Sequence, residues 1–171
     1  MKLRKILLFF LLLSCLYRFI PHPYNLTPTL SIFLFAGFYN KKNSGYFLAA
    51  LASYSLTDLF LGLYPSLIFT YLSYFLIYLC GAADHKKRQL TSVLILSVGC
   101  SGIFYLLSNF GVWLIEPLYK KDMINLLNCY IAGMPFYKNT LISTCCFSCF
   151  FFLLEKIIKL ENYKCNYPKV Y

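Results

Sequence analysis

The sequence predicts an all-α integral membrane protein with six transmembrane helices and a short interfacial helix between the fifth and the sixth. In the 171-residue chain, 60% of the side chains are hydrophobic and only 13% are charged, which is too apolar for a water-soluble domain. The apolar residues form runs that are separated by short polar loops. Lysine and arginine concentrate in these loops, as is typical of the loops that fix the orientation of membrane spans.

The whole chain, residues 1–171, is predicted to form one polytopic membrane domain. The second apolar run has only about 13 residues, fewer than the roughly 20 that cross a bilayer, so we expect a short or tilted span there. The stretch Met123–Met134 is moderately apolar and is predicted to be the interfacial helix, stopped by Pro135. The predicted spans cover residues 5–20, 27–40, 46–63, 67–80, 90–108 and 139–158.

The N-terminus also has features of a signal peptide, because the basic residues of Met1–Lys5 precede the apolar run Ile6–Cys15. The segment Leu12–Cys15 loosely resembles a lipoprotein cleavage site. The bulky Leu13 inside that segment and the apolar runs downstream favour an uncleaved first span. Its positively charged end is then predicted to stay in the cytoplasm.

The distribution of the 16 basic residues predicts a bacterial cytoplasmic (inner) membrane protein with both termini in the cytoplasm. The formal net charge of +10 does not indicate a nucleic-acid partner, because the charges sit between apolar runs and leave no folded basic face. Four basic residues fall on the outer side, namely Arg18, Lys120, Lys121 and Lys138. The others fall on the cytoplasmic side, namely Lys2, Arg4, Lys5, Lys41, Lys42, Lys86, Lys87, Arg88, Lys156, Lys159, Lys164 and Lys169.

Neither the cysteines nor the histidines indicate a metal site, a cofactor or an enzyme. Most of the eight cysteines lie in apolar runs and are predicted to be packing residues. Cys145, Cys146 and Cys149 have a spacing weakly similar to a metal motif, but no histidine or carboxylate is close in sequence. His22 and His85 fall in loops on opposite sides of the membrane, and no phosphate loop or catalytic carboxylate pair is present. An intramembrane enzyme is the least supported alternative.

A proline-rich loop after the first span is the centre of the predicted ligand site. Arg18 precedes Pro21, Pro23 and Pro28, which stiffen the backbone, and ionisable groups inside a membrane usually face a cavity or a partner. Other strong polar groups also fall at the outer ends of spans, whereas the cytoplasmic halves are apolar. This asymmetry indicates a receptor pocket for a small solute, open to the outer face, rather than a channel. The predicted ligand-binding residues are Arg18, Asn25, Asp58, Asn109, Trp113 and Asn139.

Each predicted site residue also has a structural interpretation. Arg18 is expected either to bind an anionic or carbonyl group or to pair with Asp58. Trp113 is expected to form a flat apolar wall, or alternatively to belong to the aromatic belt of the membrane interface. Asn109 and Asn139 suit a heterocyclic or amide-bearing solute, or alternatively cap helices. The structural alternatives together describe a structural or assembly membrane protein without a ligand.

Several phrases, in order between residues 18 and 142, carry a family resemblance: PHPYNLTP, FLFAGFYN, SLTDLFLGLY, SNFGVWL and CYIAGMPFYKNTL. With them the chain resembles an uncharacterised family of small bacterial membrane proteins that is similar to the substrate-capture (S) components of energy-coupling-factor vitamin transporters. The resemblance implies six helices, cytoplasmic termini and a pocket near the outer face for a vitamin or metabolite. It also implies an energy-coupling transmembrane subunit and ATPases as partners.

Two positions depart from this resemblance. Ser143 and Thr144 stand where an acidic residue often follows the Asn-Thr-Leu phrase. The first helix is bulky throughout Ile6–Cys15, where S components carry small residues spaced four apart for docking the coupling subunit. The resemblance therefore favours solute capture more strongly than it favours docking to an energy-coupling module.

Overall fold

A computed structural model describes residues 11–12, 14–39, 45–84 and 89–166, with residues 161–166 described by their backbone alone. Within these residues the chain forms six helices and no strand, which confirms the predicted all-α class. The first helix, α1, is described at residues 11–12 and 14–17. The others are α2 (Thr29–Phe38), α3 (Gly45–Leu61), α4 (Leu67–Ala83), α5 (Leu90–Ile115) and α6 (Met123–Asn166).

Helix α2 lies at the centre of the bundle and contacts α3, α4, α5 and α6. Eight of its ten residues are buried, and Phe33 and Leu34 have no exposed surface. Its length of about 15 Å, at 1.5 Å per residue, is about half the thickness of the hydrocarbon core of a bilayer. The predicted second span therefore corresponds to a short core helix that is enclosed by its neighbours.

Two glycines allow the backbones of α2 and α4 to touch. A Cβ atom at Gly37 would lie 2.2 Å from the carbonyl oxygen of Tyr78, and one at Gly81 would lie 2.2 Å from the carbonyl oxygen of Leu34. Any side chain at either position would therefore collide with the backbone of the opposite helix. Close backbone approach of this kind is what small residues provide where apolar helices pack together.

A buried chain of hydrogen bonds joins α2 to α6. The Ser31 hydroxyl donates to the carbonyl oxygen of Thr144 at 3.0 Å, and the Ser148 hydroxyl donates to Ser31 Oγ at 3.0 Å. All three residues have no exposed surface. Because unpaired polar groups are costly in an apolar core, these bonds specify the relative position of the two helices.

The predicted end of the fifth span at residue 108 is wrong, because α5 continues to Ile115. Asn109 does not close the helix but lies inside it, and its Nδ2 donates to the carbonyl oxygen of Tyr105 at 2.8 Å. This bond pairs the Asn109 amide within the helix, and the residues that follow Asn109 are again apolar, so the helix can continue. The helix ends only at Glu116, whose backbone is extended and which precedes Pro117.

The predicted stop at Pro135 is also wrong, because α6 runs without interruption from Met123 to Asn166 with Pro135 inside it. The predicted interfacial helix and sixth span are therefore one element, and Asn139 does not begin a helix. The turns that precede Pro135 pack closely on α5. The Tyr105 hydroxyl donates to the carbonyl oxygen of Tyr130 at 2.6 Å, in the turn before Pro135. Gly133 also packs directly against Asn109.

Two helices of the described chain are long and apolar enough to cross a membrane, namely Leu90–Ile115 and the Met123–Leu160 portion of α6. Helices α2, α3 and α4 are apolar but shorter. The basic clusters at residues 2–5, 41–42 and 86–88, on which the predicted orientation depends, lie outside the described residues, as does His85. Large apolar side chains are exposed on several helices, including Leu59, Phe60, Ile68, Ile95, Ile124 and Leu153.

Candidate functional site

Arg18, just after α1, forms an ion pair with Asp58 in the last turn of α3. Its Nη1 group donates to the carbonyl oxygen of Tyr54 at 3.3 Å and to the hydroxyl of Thr57, while Nη2 donates to the Asp58 carboxylate. The guanidinium carbon also lies 5.1 Å from the centroid of the Tyr54 ring, within cation–π range. These contacts join the end of α1 to one face of α3.

The pair is largely removed from solvent, with side-chain exposures of 19% for Arg18 and 6% for Asp58. The second carboxylate oxygen of Asp58 accepts a hydrogen bond from the Tyr71 hydroxyl at 2.5 Å. Asp58 is therefore held from α1 and from α4, and the two opposite charges neutralise each other. Within the described residues, Arg18 keeps Nε–H and one Nη2 hydrogen that donate to no protein group.

A cavity of about 350 Å³ lies beside Arg18, beneath the proline-rich loop. A second cavity of about 270 Å³ adjoins it and shares Tyr24, Asn25, Tyr64, Thr70 and Phe104 with it. The first is lined by Arg18, Ile20, Pro21, His22, Tyr24, Asn25, Thr27, Thr29, Tyr64, Thr70, Tyr74 and Phe104. The second extends along α5, to Ser108, Asn109 and Val112.

A smaller pocket of about 40 Å³ also borders the main cavity, and we call it the recess. It shares Asn25, Thr27, Thr29, Tyr74 and Phe104 with the main cavity. Its remaining lining residues are Leu30, Thr140 and Ser143. The recess therefore lies where α2, α4, α5 and α6 meet the proline-rich loop, and six of its eight lining side chains carry a hydroxyl or an amide.

The proline-rich loop is attached to α6 above these cavities. Asn139 Nδ2 donates to the carbonyl oxygen of Tyr24 at 3.0 Å, and the Ser143 hydroxyl donates to that of Asn25 at 3.2 Å. Asn25 has a left-handed backbone with φ of 61°, a conformation that asparagine tolerates better than most residues. The Tyr24 ring packs edge-on against Phe136, with 5.7 Å between centroids. The proline-rich loop thus covers the cavities and is bound to α6 at several points.

Tyr64, in the loop between α3 and α4, forms part of the wall of the main cavity. Its hydroxyl lies 3.2 Å from Oγ1 of Thr70. Burial raises the pKa of the Tyr64 phenol above its ordinary value, so the group is neutral at physiological pH. It can therefore both donate and accept a hydrogen bond.

Comparison with protein families gives a match over nearly the whole chain. The matching model, DUF6580, is described as a family of unknown function, and it covers residues 2–167. The chain belongs to the DUF6580 family. Comparisons with curated proteins and with solved structures give no match. For this DUF6580 chain, a function must therefore be argued from the geometry of its own residues.

Five of the six residues predicted to bind ligand lie in or next to the cavities. Arg18, Asn25 and Asn109 line them. Asp58 is one contact away, through its pairing with Arg18, and Asn139 is one contact away, through its bond to the Tyr24 carbonyl. Whether any of these side chains binds a ligand stays a prediction.

Trp113 is the residue that the structure places elsewhere. It lines neither of the two larger cavities described above nor the recess. Its Nε1 donates to the carbonyl oxygen of Lys120 at 3.2 Å, and its ring lies 5.7 Å from that of Phe110. Lys121 Nζ donates to the carbonyl oxygens of Trp113 and Glu116. These two bonds supply partners for carbonyl groups at the C-terminal end of α5. Tyr74 and Phe104 line the main cavity instead, with parallel rings whose centroids are 6.1 Å apart.

Sequence reasoning missed most of the aromatic and hydroxyl lining, above all Tyr74, Phe104, Thr29 and Thr70. A sequence signal existed for Tyr74, because Tyr71, Tyr74 and Tyr78 recur at helical spacing within an otherwise aliphatic run. For the threonines there was no signal, since a hydroxyl in an apolar helix usually bonds to its own backbone. Within the described residues no three potential metal ligands cluster.

Proposed function

We propose that this protein is a transport-related membrane protein that captures a small solute, a vitamin or metabolite, in a pocket open to the outer face. The main observation behind this proposal is the cavity of about 350 Å³ beneath the proline-rich loop, which has Arg18, amide and hydroxyl groups in its wall. Ligand pockets typically combine such a volume with aromatic walls and a few convergent polar groups. No enzymatic role, metal or cofactor is proposed.

We propose placement in a bacterial inner membrane as a multi-pass protein with cytoplasmic termini; the exterior of the bundle supports contact with a membrane, and the orientation rests on the basic residues of the sequence. Phe60, Ile68, Ile95 and Ile124 are more than two-thirds exposed, and such side chains occur on α3, α4, α5 and α6. Contiguous exposed apolar surface of this kind marks contact with lipid or with another protein. The two long apolar helices are compatible with crossing the bilayer.

The interior supports capture rather than conduction. Tyr74 and Leu30, which line the recess, belong to the same core cluster as Phe33, Leu34 and Ile77, and those three have no exposed surface. The recess therefore ends on closely packed side chains, and the deeper polar groups of Ser31, Thr144 and Ser148 are bonded to one another with no exposed surface. A conducting pathway would require accessible polar groups through the full depth. The resemblance to S components fits this arrangement, and an energy-coupling transmembrane subunit with its ATPases is the corresponding proposed partner.

The proposal is tested by identifying small molecules that co-purify with the detergent-solubilised protein by mass spectrometry. Phe104 lines all three cavities, so Phe104→Trp fills part of their volume and is expected to abolish co-purification. Phe110→Trp is the matched control, because Phe110 is on the same helix and is partly buried but lines none of the cavities. A wild-type protein that is empty in every preparation and unresponsive in thermal shift to a metabolite panel refutes capture.

The alternative function is a structural or assembly membrane protein without a ligand. The contact between Arg18, Asp58 and Tyr71 favours it, because the two charges already neutralise each other without a solute. Under this alternative, Phe104→Trp changes stability but no bound molecule is ever found. The same preparations therefore separate the two functions.

A further inference from the structure

Tyr74 is a buried polar side chain for which the described protein offers no hydrogen-bond partner. It is 7% exposed and lines both the main cavity and the recess. Its ring packs on Phe33 with 4.5 Å between centroids, and its hydroxyl has no partner among the described residues. The hydroxyl oxygen is not fully enclosed by protein, so the cavity is where it is accessible. A buried hydroxyl without a partner is costly unless water or a ligand satisfies it.

The recess, which Tyr74 helps to line, carries no charged side chain. Its polar lining comes from Asn25, Thr27, Thr29, Thr140 and Ser143, which supply neutral amide and hydroxyl groups. The nearest ion pair, Arg18 with Asp58, is internally neutralised and lies at the main cavity. A charged group entering the recess would lose its hydration without meeting an opposite charge, which is strongly unfavourable.

The size of the recess limits what it can hold. A volume of about 40 Å³ accommodates roughly three water molecules, or one small polar group such as a primary carboxamide. The adjoining main cavity is much larger and has aromatic residues in its wall, namely Tyr24, Tyr64, Tyr74 and Phe104. The main cavity and the recess together suit a flat aromatic group that carries one small polar substituent.

From this geometry we infer the substrate class: an uncharged aromatic or heteroaromatic molecule whose carboxamide or lactam group enters the recess and bonds to the Tyr74 hydroxyl. The inference rests on the proposed capture function and deepens it. A carboxamide carbonyl can accept a hydrogen bond from the Tyr74 hydroxyl, and its N–H can donate to the hydroxyl oxygens of Thr140 and Ser143, whose own hydrogens are donated to backbone carbonyls. A carboxylate has no hydrogen to donate to those oxygens, and an ammonium cannot accept from the Tyr74 hydroxyl.

The test compares three probes of similar shape and different charge, namely benzamide, benzoate and benzylamine, by equilibrium dialysis against the full chain in detergent. Benzamide is expected to bind at least about tenfold more tightly than either charged probe. Tyr74→Phe removes only the hydroxyl and is expected to weaken benzamide binding by about five- to tenfold. Tyr78→Phe is the control, because Tyr78 is one turn away on α4 and 8% exposed, but lines none of the cavities.

Equal or tighter binding of benzoate or benzylamine overturns the inference, as does an equal effect of the two tyrosine substitutions. If none of the probes binds, the charge of the co-purified molecule tests the substrate class. A charged co-purified ligand overturns the inferred substrate class but is consistent with the proposed capture function. A protein with no co-purified molecule and no bound probe refutes both the substrate class and the proposed function. The two failures are thus distinguishable.

Discussion

Removing either partner of the Arg18–Asp58 pair is expected to destabilise the protein strongly. Asp58→Asn keeps the shape of the side chain and an acceptor for the Tyr71 hydroxyl, so its main effect is to leave the Arg18 charge without a counterion. Arg18→Gln leaves the converse, a carboxylate that is only 6% exposed. Loss of one partner of a buried pair typically costs 3–5 kcal/mol, and because Arg18 is 19% exposed we expect about 3 kcal/mol for each substitution.

The double variant, Arg18→Gln with Asp58→Asn, separates the charge effect from lost packing. Since it contains no unpaired charge, it is expected to lose no more than either single variant, at most about 3 kcal/mol in total rather than about 6, which is a coupling energy of at least about 3 kcal/mol. The free energies of unfolding are measured by equilibrium denaturation of the detergent-solubilised protein. Lys138→Gln is the control, because Lys138 is exposed on α6 and loss of an exposed charge is expected to change the free energy of unfolding by less than about 1 kcal/mol.

Additive effects of the two single substitutions would refute this reasoning, because they would mean that the two side chains stabilise the bundle independently. An unchanged stability of Asp58→Asn would refute it as well. In that case the pair would be a surface-like contact, and Arg18 would be free to serve a ligand with its full charge.

Two further outcomes follow from the described contacts. Gly81→Ala is expected to lower the free energy of unfolding by about 2 to 3 kcal/mol, because its Cβ would lie 2.2 Å from the Leu34 carbonyl oxygen. Gly99→Ala, with no atom within 4 Å of its Cβ, should not lower thermal stability, and equal losses would contradict the packing argument. At the start of α6, hydrogen bonds from Asn125 lower the pKa of the exposed Asp122 carboxyl below 3.8, so its contribution is present above that pH and is lost as the pH falls through the lowered pKa. As the pH falls, the amide exchange rates of residues 123–125, each divided by its intrinsic rate at the same pH, should therefore rise in the wild type but not in Asp122→Asn. The same pH dependence of these ratios in both proteins would exclude this cap.

The helical class and the position of the main polar site followed from the chain itself. Long apolar runs with few charges predict a bundle of apolar helices, and the proline-rich segment after Arg18 is not helical. An arginine in such a place requires a partner, and Asp58 was an available carboxylate at the corresponding depth of another predicted span. These inferences depend on local sequence, and the described residues agree with them in class and in the pairing of Arg18 with Asp58.

Tertiary packing decided the features on which local rules failed. Pro135 lies inside α6, where the preceding turn contacts Tyr105 and Asn109 of the neighbouring helix α5, and neither contact can be read from the sequence near the proline. Asn109 was expected to end a helix, but it satisfies its amide against the carbonyl oxygen one turn earlier. Trp113 bonds to the loop after α5, so its ring is held away from the cavities.

The sequence by itself determined that this protein is helical, strongly apolar and organised around a polar loop next to Arg18. Only the tertiary structure decided that the short helix α2 is the centre of the core, because burial depends on which neighbours surround it and not on its own composition. The tertiary structure alone also formed the recess, since its lining comes from segments that are more than 100 residues apart in sequence. Whether the Tyr74 hydroxyl has a hydrogen-bond partner depends on which residues face it from other helices, and no local sequence pattern specifies those residues.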